Sequence, residues 1–313
     1  MTEYSLLEIV KLCNTVPDIN ALVSTEKAYR FLLDDGTLVG VVSNADIAAL
    51  EAECTHTPLF VFDHSLRTIE FGASFDTEQK RSAALASILA RLREQRGWAT
   101  LAKWRNELYP VFGVKSSGAA VLWVERAASY NFGIRTYGVH INGFTRSTDG
   151  EVLMWVGKRA KSKSTWPGYL DQMAAGGIGN GLGILESVTK ECEEEAQVPL
   201  DIATRAKAAG TIQYFTRSEL GLQPETQYVF DLELPRDFVP VPNDGEVEQF
   251  YLWPISDVLR ALRQSLFKPN CALCVVDFFV RHGIITAENE PDYVEIIDNI
   301  HCPLPFPGPT RPQ

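Results

Sequence analysis

Residues 175–196 read Ala175-Gly-Gly-Ile-Gly-Asn-Gly-Leu-Gly-Ile-Leu-Glu-Ser-Val-Thr-Lys-Glu-Cys-Glu-Glu-Glu-Ala196. Five glycines fall within the eight residues Gly176–Gly183, and a stretch rich in glutamate follows. Glycine, lacking a Cβ, lets backbone approach a ligand and sets a helix start. At about 100° per residue, Glu191, Glu194 and Glu195 fall within about 100° of one another on one helix face. Leu185, Val188, Cys192 and Ala196 form the adjoining apolar stripe that anchors the helix. Like charges at these spacings repel, so the cluster is costly unless a cation compensates it. Hard carboxylate oxygens facing a glycine loop suit Mg2+ or Mn2+. Three glutamates alone would better suit a solvated face; the glycine loop before them shifts the balance toward a cation site.

Working outward, strands are expected at Val139–Phe144 and Val152–Val156 around a turn at Thr148-Asp-Gly, and at Thr211–Phe215, Gln227–Leu234 and Glu248–Trp253. Helices follow at Ile255–Leu266 and Ala272–His282. Toward the N-terminus, the pattern predicts a helix over Leu6–Cys13 and a hairpin, Tyr29–Leu33 with Leu38–Val42, around Asp34-Asp-Gly-Thr. Asn44 is expected to cap a short helix to Leu50, and Asp76 a long one stopping at Gly97. Leu59–Phe62, Thr68–Phe71 and Ala119–Val124 read as strands. The chain is thus expected to be α+β, with an N-terminal α+β domain over 1–125, a second domain over 126–301 and an extended or mobile proline-rich tail over 302–313.

A chain of 313 residues accords with two domains. Its net charge of −11 argues against nucleic acid and a membrane surface as partners. Six cysteines are too sparse for a disulfide framework, and Cys271 and Cys274, the single C-x-x-C, read as buried small hydrophobes. The start, Met1-Thr-Glu-Tyr, has no basic n-region, and no apolar run approaches the ~18 residues of a membrane span. A reduced, cytoplasmic protein is expected.

Four cations, Lys158, Arg159, Lys161 and Lys163, lie just upstream of the glycine loop with no acid among them. They would suit a small organic diphosphate, or simply an exposed hairpin loop. Trp166, Tyr169, Tyr214 and Phe215 are candidates for stacking on a ring, though such aromatics more often pack in cores. Glu246 and Glu248 fall on a turn-to-strand segment, where alternation would aim one of them at the acidic helix. His140 and His282 sit among apolar residues and are read as structural.

The glycine–glutamate combination resembles the Nudix box, G-x5-E-x7-R-E-U-x-E-E-x-G-U with U a bulky aliphatic. Placed here it runs from Gly176 to Val198, with Glu191, Glu194 and Glu195 at the metal-binding glutamates. Leu182 stands at the first Glu, Lys190 at the Arg and Gln197 at the late Gly; Cys192 is a small apolar substitute at U. In the family the first Glu and the Arg support the loop and helix more than they bind metal.

The flanks narrow the resemblance. Glu125-Arg-Ala-Ala, Tyr137-Gly-Val-His-Ile-Asn-Gly-Phe, Trp166-Pro-Gly-Tyr-Leu-Asp, Asp244-Gly-Glu-Val-Glu and Phe267-Lys-Pro-Asn-Cys-Ala-Leu resemble the thiamine pyrophosphokinase-related Nudix group, as does Trp104-Arg-Asn-Glu-Leu-Tyr-Pro-Val. Arg159 and Lys163 fall at the spacing of that group's Arg-Ser-x-x-Lys pattern. The resemblance implies a Nudix α/β/α sandwich with a mixed sheet behind an extra N-terminal domain. It also implies a metal-dependent hydrolase converting thiamine diphosphate derivatives, above all damaged forms such as oxythiamine diphosphate, to monophosphates. Glu191, Glu194, Glu195 and Glu246 would hold Mg2+ or Mn2+, and Glu194, Glu195 and Glu248 would act in catalysis. Arg159, Lys163, Trp166, Gly176 and Gly177 would bind substrate. Two alternatives stand beside this. An isopentenyl-diphosphate isomerase typically carries Cys-Gly-His where this chain has Ala175-Gly176-Gly177. A non-catalytic ligand-binding protein with a weakened box would be consistent with Leu182.

Overall fold

The computed structural model describes residues 3–16, 18–115 and 118–309. α1 (Leu6–Lys11) starts on a reciprocal cap, the Glu8 amide donating to Ser5 Oγ at 3.1 Å and the Ser5 amide to Glu8 Oε2 at 2.7 Å. α2 (Ile19–Thr25) precedes the hairpin of β1 (Tyr29–Leu32) and β2 (Leu38–Val42). α3 (Asn44–Cys54) runs past the expected end at Leu50, and its cap is Ser43, whose hydroxyl accepts from the Asp46 amide. β3 (Phe60–Asp63) and β4 (Thr68–Phe71) follow as expected, then α4 (Glu78–Glu94). Thr77 caps α4, while Asp76, one residue outside, accepts from Lys80 Nζ at 2.7 Å. In both helices the hydroxyl sits at the turn and the neighbouring polar residue does other work. β5 (Leu108–Phe112), which the sequence expectation did not include, pairs antiparallel with β6 (Ala120–Glu125).

The remaining elements are α5 (Ser129–Phe132), β7 (Thr136–Arg146), β8 (Val152–Arg159), β9 (Leu170–Asp171), β10 (Ala174–Gly177), α6 (Ile184–Ala196), α7 (Leu200–Ala203), β11 (Lys207–Ser218), β12 (Gly221–Glu233), β13 (Val247–Pro254), α8 (Ile255–Arg263), α9 (Pro269–Arg281) and α10 (Tyr293–Ile300). α10 lay outside the expectation: only Ile296 and Ile300, spaced by four, are buried in it.

One compact unit comprises Met1–Asn14, Tyr137–Tyr214 and Thr226–Pro303. Its sheet runs β11-β12-β7-β8-β13, with β10 added to β7 and β9 to β8. Strand alternation divides its core in two. Val139, Ile141, Trp155, Phe230 and Leu232 pack with Val188, Cys192 and Ala196 of α6. Phe144, Met154, Val156 and Val229 pack with α1, α8, α9 and α10. The result is the expected α/β/α sandwich with a mixed complement of strands and helices. α9 is buried on every side over Asn270–Phe279, which accounts for its apolar sequence and for the burial of Cys271 and Cys274. Among the described residues no helix is long and apolar enough to cross a membrane.

The other unit comprises Thr15–Thr136, Phe215–Glu225 and Leu304–Gln313. Its sheet order is β2-β1-β4-β3, with β1 and β4 parallel, around a core that includes Phe31, Phe60, Phe71 and Phe132. Residues 304–309 of the proline-rich stretch belong to this unit. Phe306 is buried edge-on against Phe215, and Arg135 Nη1 donates to its carbonyl at 2.8 Å.

Candidate active site

Strand β10 and helix α6 form the frame. Gly176 lies so close to α6 that a Cβ there would fall 2.1 Å from Glu191 Cδ. This glycine therefore makes room for a side chain of the acidic helix. Gly177 pairs with Gly138 of β7, and Gly176 with Val139. Gly183 N–H donates to Glu186 Oε2 at 2.8 Å, and Ser187 Oγ to the Gly183 carbonyl at 3.0 Å, fixing the helix start without an acid at Leu182. Leu182 itself is exposed.

α6 ends on Gln197 in the left-handed region, φ 50°, where a glycine is the unstrained residue. Gln197→Gly is expected to raise stability by about 0.5 kcal/mol, the relief of strain less the added freedom of the unfolded chain. Urea unfolding checks this; a loss of stability would place the worth of Gln197 in its 3.2 Å bond to Asn243 Oδ1.

Glu195 is buried, and its Oε2 accepts from the Ala175 amide at 2.9 Å. Burial pushes its carboxyl well above the usual range; Asp171, Glu191 and Glu246 add to this and the Ala175 bond opposes it. Burial also raises Glu191, with Lys190 opposing and Glu194 and Glu246 contributing. Such carboxyls resist ionising unless positive charge is brought to them.

The third partner comes from the segment before β13. Glu195, Asp244 and Glu246 each offer a carboxylate oxygen, all within 4.8 Å of one another. Asp244 Oδ1 accepts from the Glu246 amide at 2.8 Å, and Gly245 between them turns at φ 80°. A buried acid and two accessible ones, all hard oxygens, fit Mg2+ or Mn2+. Asp244 was not singled out as a ligand in the sequence. The turn chemistry of Asp-Gly-Glu was the available signal, since such a turn presents two carboxylates together.

Of the other expected metal ligands, Glu191 packs on Gly176 beside this group. Glu194 lies outside it, about half exposed, with Lys190 Nζ at 2.8 Å from Glu194 and 3.2 Å from Glu191. Glu248 is also apart. Val247 aligns with Arg159 and Gln249 with Lys158, so Glu248 is the extra residue of a bulge, and it pairs with Lys158 at 3.4 Å. Strict alternation would put Glu246 and Glu248, two residues apart, on one face, contrary to the expectation from sequence; the bulge is what sets Glu248 apart from Glu246.

Arg159 departs from its expected role. Its guanidinium is buried, donating from Nη1 to Asp171 Oδ2 at 2.6 Å, from Nε to the Trp166 carbonyl at 3.2 Å and from Nη2 to the Thr165 carbonyl at 3.0 Å. It braces the following loop from within. Lys163 forms an ion pair with Glu246. Trp166, at φ 52°, is exposed and meets Tyr169 edge-on at 5.0 Å. Tyr214 and Phe215 are core residues, and the Tyr214 hydroxyl accepts from Gln227 and Asn270.

The two histidines read as structural, His140 and His282, are each held by a neighbouring side chain. His140 is bonded to Gln172, and burial, reinforced by Lys268, pushes its pKa down to about 4, so the ring is neutral. His282 stacks on Phe278 and bonds Asp231 at 2.9 Å.

A family profile described as "Domain of unknown function (DUF4743)" matches residues 5–136. The "Uncharacterized protein YJR142W" of Saccharomyces cerevisiae is 38% identical over 322 residues, covering 97% of this chain and 92% of that one. Two Arabidopsis thaliana proteins, "Nudix hydrolase 24, chloroplastic" and "Nudix hydrolase 20, chloroplastic", are 37% and 43% identical over 76% and 67% of this chain. The chain spans 64% and 55% of their lengths, so each extends well beyond the similar region.

Proposed function

The chain belongs to the Nudix hydrolase family, and we propose that it hydrolyses the diphosphate of thiamine diphosphate derivatives, preferring damaged forms such as oxythiamine diphosphate. The observation carrying this reading is the meeting of Glu195, Asp244 and Glu246 beside the glycine-rich strand and Glu191. A divalent ion held there, Mg2+ or Mn2+, would neutralise phosphoryl oxygens and lower the pKa of bound water.

The chain's own groups account for the rest. Gly176 and Gly177 give close backbone approach, and Lys163 supplies positive charge for the diphosphate. Trp166 offers an exposed ring face to a pyrimidine or thiazolium. Glu194 and Glu248, both accessible carboxylates, are the proposed groups for orienting the attacking water and taking its proton. A reducing, cytoplasmic setting is part of the proposal, resting on the sparse cysteines of the sequence.

Phosphate release from oxythiamine diphosphate, thiamine diphosphate and ADP-ribose, with and without Mg2+, tests the proposal. Mg2+-dependent release fastest on oxythiamine diphosphate is expected; faster release from ADP-ribose would replace the substrate assignment. Binding without release from any of them would favour a ligand-binding protein, the reading that exposed Leu182 supports.

Gly176→Ala is expected to lower turnover about 100-fold while costing less than about 1 kcal/mol of stability. The new methyl meets a carboxylate that can swing away, so the site is displaced more than the fold is strained. Kinetics set beside thermal unfolding check the split; equal losses in both would mean that the strand itself had shifted.

A further inference from the structure

We propose that Lys163 is an exchangeable counter-ion of the carboxylate site, neutralising Glu246 until a divalent cation takes that carboxylate and then turning to a phosphoryl oxygen. The cation would accordingly load before the diphosphate is held tightly. This rests on the function proposed above.

The Lys163 ammonium is in ion contact with Glu246, and its side chain is only 21% exposed. Glu246 is one of the three carboxylates that could hold a cation together. An ammonium and a divalent cation on the same carboxylate repel each other, so one must yield. The chain keeps the displaced lysine nearby. The Ala160 amide donates to the Glu246 carbonyl at 2.8 Å and the Lys163 amide to the Ala160 carbonyl at 3.2 Å, tying the loop to the backbone of Glu246. Arg159 fixes the other end of that loop through Thr165 and Trp166. The released ammonium has slack in its own side chain and little in its backbone. Lys190 differs, since both of its partners lie on its own helix.

Mn2+ binding to the full chain, measured by calorimetry and by electron paramagnetic resonance, tests this in wild type, Lys163→Met and Lys163→Arg. Removing the competing charge is expected to tighten Mn2+ binding roughly 5-fold in Lys163→Met, whereas Lys163→Arg stays within about 2-fold of wild type. The same Lys163→Met protein is expected to show KM for the diphosphate raised about 10-fold. In a Glu246→Gln background, Lys163→Met is expected to change Mn2+ affinity no further. Equal or weaker Mn2+ binding by folded Lys163→Met overturns the exchange. Absence of Mn2+ binding in wild type overturns the site and the exchange together. Tighter Mn2+ binding in a protein that releases no phosphate supports the displacement of Lys163 while removing the hydrolase reading.

Discussion

Glu195→Gln is expected to reduce Mg2+-dependent phosphate release by at least about 1,000-fold while leaving the melting temperature unchanged or raised. The activity side follows from position. Glu195 is the buried member of the three-carboxylate group, and an uncharged amide oxygen is a much weaker ligand than a carboxylate for a divalent cation. The stability side follows from electrostatics. The carboxyl sits where burial and the charges of Asp171, Glu191 and Glu246 all oppose ionisation, so an uncharged amide suits the apoprotein there at least as well. Gln is nearly isosteric and can still accept from the Ala175 amide. Phosphate release, Mn2+ binding and thermal unfolding on one preparation test both halves. Full turnover with bound Mn2+ would remove Glu195 from the mechanism; a large drop in melting temperature would recast it as structural.

Arg159→Met is expected to destabilise the protein by about 3 kcal/mol, because it takes from a buried carboxylate the cation hydrogen-bonded to it and leaves Lys268 alone to compensate the charge. Arg159 and Asp171 are almost wholly inside. Asp171 Oδ1 also accepts from the Gln172 amide at 2.8 Å and from Cys271 Sγ at 2.7 Å. Burial would raise Asp171, but Lys268 and Arg159 outweigh it and hold the carboxyl below its ordinary value. A depressed carboxyl stabilises the fold above its unfolded value, about pH 4, and that contribution disappears as pH falls through the lower folded value. Arg159→Met/Asp171→Asn is expected to recover most of the loss, since the under-compensated charge is gone. Urea unfolding at pH 7 of the single variants and the pair decides it. Unchanged stability in Arg159→Met with a raised KM would return the guanidinium to the diphosphate-binding role its sequence spacing suggests.

Arg159 illustrates where reading the sequence stops. Its spacing from Lys163 was legible, and both residues do border the candidate site. Whether a guanidinium faces a ligand or a buried aspartate depends on Asp171 and on the loop that folds back over it. The same holds for acids remote from the box. Asp244 lies far along the chain from Glu195, and only the return of the segment before β13 brings their oxygens together. The bulge at Glu248 is equally invisible locally, because it arises from the register between β13 and β8.

By itself the sequence determined the parts whose cause is local. Apolar periodicity set the long helices and most strands, the caps were legible to within a residue, with Ser43 and Thr77 in place of the expected Asn44 and Asp76, and the spacing of glycines and glutamates identified the loop, the helix and its acidic face. The tertiary structure decided which charges meet: Glu195 with Asp244 and Glu246, Lys163 with Glu246, and Arg159 with Asp171. Period and propensity act between residues a few positions apart. Carboxylate convergence and the burial that shifts it are set by chain segments that approach one another only once the sheet has formed.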